Sequence, residues 1–162
     1  GKMSEIAAAL GLTSLEDMDE FIAVNKRNHY LYLKHLENQP GLRIVPYDEK
    51  ERNNYQYVGI EVDEEQAGVS RDRLMEILHA EGIRARRYFY PGCHKMEPYR
   101  SYFPHAGLLL PVTERLVTRI LCLPTGSEVE EEDVEAICKI VKFVIHHANE
   151  IEKTFKTGGN EQ

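Results

Sequence analysis

The stretch YQYVGIEVDEEQAGVSRDRLMEILHAEGI, residues 55–83, contains the pattern that decides the fold. Valine or isoleucine occupies every second position from Val58 to Val62, as one face of a half-buried strand requires. Leu74, Ile77 and Leu78 then follow at helical spacing, and the glycine after them is typical of a helix C-terminus. The stretch therefore predicts a strand over residues 55–62 and an amphipathic helix over residues 70–81.

Two further strand-like segments flank this stretch. Residues 42–45 follow the turn signal Pro40-Gly41, and residues 83–90 alternate, with Ala85 and Phe89 on one side and arginine or tyrosine on the other. With the flanking helical patterns, the predicted order is helix–helix–strand–strand–helix–strand–helix–helix. This order indicates an α+β domain. We predict a small, mostly antiparallel sheet with helices on one face, preceded by a two-helix N-terminal segment.

The boundaries of several helices can also be predicted. The two leading helices are expected over residues 3–12 and 14–37, with Ser14 as N-cap of the second, and a later helix over residues 112–121. The last helix is expected to open with a capping box of Ser127 and Glu130. The leading helices carry more apolar surface than a three-stranded sheet can cover. We therefore expect an exposed patch on them that normally meets another domain or another chain.

The composition is that of an ordinary globular domain. The chain has 162 residues, of which 42% are hydrophobic and 29% charged, enough for one domain with its own core. Its net charge of −7 argues against a duplex nucleic-acid binder, which needs clustered Lys and Arg. No apolar run approaches the roughly 20 residues of a membrane helix, and no signal peptide opens the chain. The three cysteines lack CxxC spacing, so we expect incidental thiols in a cytoplasmic protein without a nucleic-acid or membrane partner.

Neither a metal site nor a nucleotide-binding loop is predicted. The seven histidines form no HExxH pair and no Cys/His spacing of zinc-site type, so we expect no metal. The chain has no GxxxxGKS/T or GxGxxG loop for nucleotide phosphates, and no GxSxG elbow. Asn25 and His29 lie on the apolar stripe of the second helix, where we interpret them as hydrogen-bonded packing groups rather than ligands.

The strongest polar cluster is RARRYFYPGCH, residues 84–94, at the end of one predicted strand and in the loop after it. It contains three arginines, two tyrosines and a histidine. Guanidinium groups hold anions, and Tyr and His exchange hydrogen bonds with sugar hydroxyls. The competing interpretation is a solvated strand face with packed rings, and the residues alone leave both interpretations open.

Several short motifs occur in the order found in one enzyme family. KMSEIAA, residues 2–8, is similar to the segment Asn-x-Lys/Arg-Met-x-Glu-x-x-Ala-Ala of the DegT/DnrJ/StrS-type aminotransferases. Further matches are Arg27 with Tyr32 and Leu36, then VSRDRL (69–74), LHAEGI (78–83), YPGCH (90–94), LLPVTE (109–114) and LCLP (121–124). The resemblance extends over essentially residues 1–153. Residues 86–94 are most similar to family members that make the thymidine diphosphate derivative of 4-amino-4,6-dideoxyglucose.

The resemblance implies the C-terminal domain of a fold-type I enzyme, normally a homodimer, in which pyridoxal phosphate (PLP) carries an amine from glutamate to a nucleotide-linked keto-sugar. It also implies that the Schiff-base lysine and its partner aspartate lie in a large domain upstream of Gly1. None of the nine lysines here has the family's Ser-x-x-x-Lys context. Transamination needs that lysine as Schiff-base partner and as proton carrier. We therefore expect a truncated fragment with no catalytic residue and no bound cofactor, inactive alone.

Carried over residue by residue, the resemblance assigns Lys2 to the surroundings of the cofactor, Tyr90 and His94 to the sugar, and Arg86 to the diphosphate. It divides the chain into an N-terminal helical segment at the domain junction or dimer contact (1–38), the small domain (39–155) and a flexible tail (156–162). The alternative is a non-catalytic binding or interaction module that reuses this domain. A start codon directly before Gly1, and a monomer without exposed apolar helices, would favour that alternative.

Overall fold

The fold is built on an antiparallel sheet. The protein's computed structural model describes residues 2–158, with side chains through Phe155, so residues 159–162 of the predicted tail lie outside the described residues. Within this part of the chain the sheet has three strands, in the order β1 (Leu42–Ile44), β2 (Val58–Val62), β3 (Ile120–Leu123). Ile60, in the middle of β2, lies opposite Ile44 on one side and Leu121 on the other.

Helices precede, connect and follow the strands. Their bounds are α1 Glu5–Glu16, α2 Met18–Leu36, α3 Glu64–Ala67, α4 Arg71–Ala80, α5 Tyr99–Tyr102, α6 Ala106–Leu109, α7 Pro111–Arg119, α8 Glu131–His146 and α9 Ala148–Gly158. A 3-10 turn spans Cys93–Lys95. Side chains of α2, α4 and α8 share one core with β2 and β3. The predicted α+β arrangement, with helices on one face of a small antiparallel sheet, is confirmed.

The core forms because apolar side chains recur at the right period in each element. In β2, Val58, Ile60 and Val62 are at most 1% exposed and face the helices. In α8, Val134, Ile137, Cys138, Val141 and Val144 are buried at three- and four-residue spacing. The capping box at the start of α8 consists of Glu130 and Asp133, so the prediction that Ser127 opens it was wrong. The acidic first turn still suits the positive end of the helix dipole.

A buried asparagine ties α2 to the turn between β3 and α8. The side chain of Asn28 is fully buried, and its Nδ2 donates to the carbonyls of Gly126 and Val129 at 3.4 and 3.3 Å. One helical turn on, the hydroxyl of Tyr32 donates to the carbonyl of Pro124 at 3.0 Å. Because these buried groups are satisfied only in this arrangement, α2 fixes the position of residues 124–129.

Two predicted elements between β2 and α8 are corrected. Residues 83–90 do not form a full strand: only Arg86 pairs, with Cys122, before the chain turns through a hydrogen bond from Tyr90 N to Arg87 O. The helix predicted over 112–121 ends at Arg119, and the next four residues are the third strand instead. The turn at residues 87–90 uses backbone N–H and C=O groups that a longer strand would need for pairing. In the sheet, the position next to β2 is occupied by β3.

The leading helices also differ from the prediction. α1 continues through Gly11 to Glu16, and Ser14 lies inside it, donating to the carbonyl of Leu10 at 2.9 Å rather than capping α2. The predicted exposed patch is confirmed, because Ile6, Leu10 and Leu15 are 83%, 69% and 61% exposed. Among the residues described here, no helix combines the length and apolar character that crossing a membrane requires.

Candidate functional site

Lys2 lies at the exposed start of α1. Ser4 caps this helix, its Oγ accepting a hydrogen bond from the N–H of Ala7 at 3.2 Å. Lys2 is exposed and forms no hydrogen bond or ion pair with the residues that the structure describes. Its ammonium group is therefore available to a partner that this chain does not supply.

Arg86 lies on a short extended segment beside β3. Its backbone exchanges two hydrogen bonds with Cys122, at 2.9 and 2.8 Å, and the preceding Ala85 is buried in the core. Side chains alternate along extended backbone, so Arg84 and Arg86 lie on the side opposite Ala85. Both line a cleft of about 340 Å³. One guanidinium nitrogen of Arg86 donates to the hydroxyl of Tyr88 at 2.7 Å.

Tyr90 lies against two arginines. The guanidinium carbons of Arg87 and Arg71 are 4.7 and 5.4 Å from the centre of its ring, within cation–π distance. Both arginines form salt bridges with the carboxylate of Asp72, at 3.1 and 2.8 Å. Arg71 also donates to the carbonyl of Ile120 at 2.8 Å, and burial lowers its pKa. With this backing the ring of Tyr90 has a fixed position, and 47% of the residue remains exposed.

His94 is held by a carboxylate. Its Nε2 lies 2.6 Å from Oε1 of Glu114, whose Oε2 lies 2.6 Å from Nζ of Lys95. The hydrogen bond from Lys95, and then that with His94, lower the pKa of Glu114. A glycine is required two residues earlier, because Gly92 has a φ of +97° and a Cβ there would lie 2.8 Å from the His94 ring. His94 lines an apolar cavity of about 460 Å³ with Phe89, Tyr99 and Phe103.

The structure does not gather the four predicted site residues into one pocket. Arg86 and His94 line different cavities, and neither cavity includes Tyr90. Lys2 precedes α1, whereas the other three residues lie in the segment between α4 and α5. The roles that the sequence assigns to these residues remain predictions. The four residues lie on separate surfaces, each of which would have to contact a ligand, another domain or another chain.

The structure adds a cavity with a mixed polar and apolar lining that the sequence did not indicate. A space of about 590 Å³ lies between α1, the start of α2 and two loops, and Asn25, Asn54 and Thr125 line it. Thr125 donates to Oδ1 of Asn25 at 3.0 Å, which supports the interpretation of Asn25 as a hydrogen-bonded packing group. Asn54 and Thr125 are far from Asn25 in sequence, so no motif could have joined them. Within residues 2–158 no group of three or more His, Cys, Asp or Glu side chains is placed to hold a metal.

Cysteine alkylation can probe the loop around His94. Cys93 is exposed, whereas Cys122 and Cys138 are buried; burial raises the pKa of Cys122 and raises that of Cys138 to about 12. The thiolate is the reactive form, so iodoacetamide at mildly alkaline pH should modify Cys93 and leave the other two intact. Peptide mass spectrometry would measure this, with concentrated urea as the control in which all three react. Modification of Cys138 as fast as Cys93 in the folded chain would contradict the fold.

The sequence profile of the DegT/DnrJ/EryC1/StrS aminotransferase family matches residues 1–142. The chain belongs to this family. The membership confirms the resemblance drawn from the short motifs, and it places the segments around Arg86, Tyr90 and His94 inside the matched region.

Individual relatives agree with this chain in fold and in sequence. The dTDP-4-amino-4,6-dideoxy-D-glucose transaminase of Escherichia coli is 36% identical over 141 residues, which cover 87% of this chain and 38% of that protein. The enzyme of the same name from Shigella dysenteriae is 33% identical over 146 residues. The solved structure of DesI with its TDP-sugar product is 44% identical, with a TM-score of 0.86, over 95% of this chain and 38% of that one. The chain thus spans about two fifths of the length of these relatives.

The described residues do not fit the covalent anchor of PLP. A Schiff-base lysine is activated by burial or by a neighbouring cation, which lowers its pKa. No lysine with a described side chain, from Lys2 to Lys153, is buried. Hydrogen bonds with Tyr55 and then Glu49 raise the pKa of Lys26, and Lys95 is paired with Glu114.

Proposed function

We propose that this chain is the small domain of a PLP-dependent aminotransferase that transfers an amine from glutamate to a nucleotide-linked keto-sugar. The observation that carries the proposal is the 44% identity to DesI, with a TM-score of 0.86, over 95% of the chain. The E. coli relative is named for a dTDP-linked amino sugar. A dTDP-4-keto-6-deoxyglucose substrate is therefore the specific form of the proposal.

The proposed contribution of this domain is substrate positioning. Tyr90, braced by Arg87 and Arg71, and His94, held by Glu114, would face sugar hydroxyls. Arg86 would face the diphosphate, and Lys2 the neighbourhood of the cofactor phosphate. Such contacts orient the reacting groups, which contributes to rate without performing the chemistry.

The same proposal assigns a role to the exposed helices. Residues 1–38 would form the junction with the rest of the protein or the contact within a homodimer, residues 39–155 the small domain, and residues 156–162 a tail. The apolar side chains of α1 support this role, since the helix has no buried residue within the described chain. The alternative, a non-catalytic interaction module, would be favoured by a chain without exposed apolar helices, so the exposed side chains of α1 count against it.

Treatment of the 162-residue chain with PLP and borohydride tests whether it contains the cofactor's anchor. Because none of its described lysines is buried, we expect only scattered, substoichiometric pyridoxyl adducts by mass spectrometry. Stoichiometric labelling of one lysine would contradict the proposal. The complementary assay uses the complete protein with PLP, glutamate and the keto-sugar nucleotide. Failure to form an amino sugar from any such nucleotide would reject the proposed substrate class.

A further inference from the structure

His29 is a buried titratable side chain with an unsatisfied nitrogen. The residue lies in α2 and is 3% exposed. Its Nδ1 is buried and has no hydrogen-bond partner among the residues that the structure describes, so the hydrogen bond expected from the sequence is missing at this atom. Most buried polar atoms in proteins are paired. An unpaired imidazole nitrogen can take up a proton, and the effect of that proton depends on what surrounds the ring.

Three tyrosine rings pack around the ring of His29. The ring centroids of Tyr47, Tyr30 and Tyr55 lie 5.0, 5.6 and 5.7 Å from its own. Tyr30 belongs to α2, whereas Tyr47 and Tyr55 belong to the loop of residues 45–57, which joins β1 to β2. His29 thus lies in the contact between α2 and the 45–57 loop. A neutral imidazole suits such a place, whereas an imidazolium there has lost its hydration.

The charged groups near His29 do not offset its burial. The titratable side chains of this cluster come from α2 (Lys26, Tyr30) and from the loop (Tyr47, Glu49, Tyr55). The negative charge of Glu49 favours a protonated His29. Its carboxylate already accepts hydrogen bonds from the hydroxyls of Tyr30 and Tyr55, at 2.6 and 2.9 Å. Burial is the larger effect, and it lowers the pKa of His29 below its ordinary value.

The group of this cluster that titrates near neutral pH is His29. A histidine ordinarily has a pKa of about 6.5, whereas carboxylates titrate lower, and tyrosines and lysines higher. Hydrogen bonds from Tyr30 and then Tyr55 lower the pKa of Glu49 further. Hydrogen bonds with Tyr55 and then Glu49 raise the pKa of Lys26. Between about pH 7.5 and 5.5 the charge of the cluster therefore changes at His29.

The packing around His29 carries much of the attachment of the 45–57 loop to α2. Two ion pairs also join the loop to the leading helices, Lys26 with Glu49 at 3.4 Å and Arg52 with Asp19 at 3.0 Å. All four of these side chains are at least 48% exposed. Exposed ion pairs contribute little to stability. A change that weakens the buried contact therefore leaves the loop without a strong alternative attachment.

The 45–57 loop forms part of the wall of three cavities. Asn54 lines the cavity of about 590 Å³ beside α1 and α2. Tyr57 lines the cavity of about 340 Å³ that also contains Arg86, and Tyr47 lines a smaller one of about 260 Å³. A shift of this loop would change the shape of all three.

We propose that His29 is a pH-sensitive element, which on taking up a proton weakens the attachment of the 45–57 loop to α2 and so changes the shape of the three cavities. Above the ordinary histidine pKa of about 6.5, the imidazole is neutral whether the loop is attached or released. Below that pH, His29 binds a proton when the loop is released and the ring is hydrated, but not when the loop is attached. Attachment is therefore lost as the pH falls, by up to about tenfold in its equilibrium constant between pH 7.5 and 5.5.

Amide hydrogen exchange of the 162-residue chain, followed by mass spectrometry, tests this proposal. Exchange rates corrected for the intrinsic effect of pH give the opening equilibrium of each segment. We expect opening of residues 45–57 to rise by up to about tenfold between pH 7.5 and 5.5. The buried residues of α8, Val134 to Val144, should change less because they do not contact this loop.

Two substitutions remove the titrating group. His29→Phe keeps an aromatic ring of similar size, and His29→Gln keeps a polar side chain, so the two differ in how they disturb the packing. Both should abolish the pH dependence of the loop. The matched control is His105→Phe, which removes an exposed histidine and should leave the pH dependence intact. Circular dichroism would show which variants are folded.

The proposal is overturned if opening of residues 45–57 does not rise on acidification, or if the rise persists in a folded His29 variant. An equal rise in α8 would also overturn it, because protonation would then loosen the whole fold rather than the loop. If neither variant folds, NMR titration of the His29 ring in the unaltered chain decides, and a midpoint at or above about 6.5 rejects the proposal. None of these measurements uses a cofactor or a sugar nucleotide, so the outcome is independent of the proposed function.

Discussion

Leu121→Ala is expected to destabilise the chain by about 3–5 kcal/mol. Leu121 is 0% exposed in the middle of β3, opposite Ile60, and belongs to the core formed with α4 and α8. Truncation removes the apolar surface that the side chain buries and leaves a cavity that neighbouring strands cannot close. Urea unfolding followed by circular dichroism would measure the loss as a lower midpoint with an unchanged slope.

The matched control for this prediction is Leu109→Ala. Leu109 is also a leucine close to α7, but it is 83% exposed, so the same truncation should change the free energy of unfolding by no more than about 0.5 kcal/mol. If the two variants were equally stable, residues 120–123 would not be the buried third strand. The comparison thus tests the element that sequence reasoning misplaced.

That misplacement has a physical reason. Residues 120–123, Ile-Leu-Cys-Leu, continue directly from α7, and a run of four apolar residues has no period that distinguishes a strand from the end of a buried helix. What makes them a strand is pairing with Val58–Glu61, about 60 residues earlier in the chain. Such a partner is not visible in a local pattern. The strand Val58–Val62 was predictable because its alternation is complete within its own sequence.

The predicted strand over residues 83–90 illustrates a different limit. Its alternation was real, because Ala85 is buried while Arg84 and Arg86 are exposed. Only Arg86 pairs with a strand residue, Cys122. The side chain of the next residue, Arg87, forms a salt bridge with Asp72 instead. The cluster of arginines could therefore be read from the sequence. The sequence could not show which of these arginines lack a carboxylate partner, because the carboxylates that pair with these arginines lie on other elements of the fold.

The site residues show the same division between local and distant information. The motif that contains Tyr90 and His94 was recognisable in the sequence, and the family match includes it. The carboxylates that hold these residues come from two helices. Asp72 in α4 holds Tyr90 through Arg87, and Glu114 in α7 holds His94. A substrate-facing surface on this domain would thus depend on how α4 and α7 pack against the loop that carries Tyr90 and His94. A substitution that loosens either helix would displace this surface even though the substituted residue is not part of it.

Among the described glycines, Gly41→Ala should be the most damaging change to alanine, with a loss of more than about 3 kcal/mol in the free energy of unfolding. Gly41 joins α2 to β1 with a φ of +70°, and a Cβ there would lie 2.3 Å from the backbone nitrogen of Ala67 and 2.7 Å from the carbonyl of Asp63. Neither atom can move without cost, since the N–H of Asp63 donates to the carbonyl of Gly41 at 2.7 Å and the N–H of Ala67 donates to Asp63. The first turn of α3 is thereby fixed against residue 41.

The comparison variant, Gly82→Ala, separates this close approach from backbone strain. Gly82 has nearly the same φ, +77°, but a Cβ at this position would have no neighbour within 4 Å. Its cost should be about 1–2 kcal/mol, the penalty of a left-handed conformation for alanine, reduced by the smaller entropy of the unfolded chain. Urea unfolding of both variants gives the difference, which reports the contact of residue 41 with residues 63–67. Equal losses would mean that α3 does not pack against the α2–β1 turn, and the register that starts with Leu42 opposite Val62 would have to be abandoned.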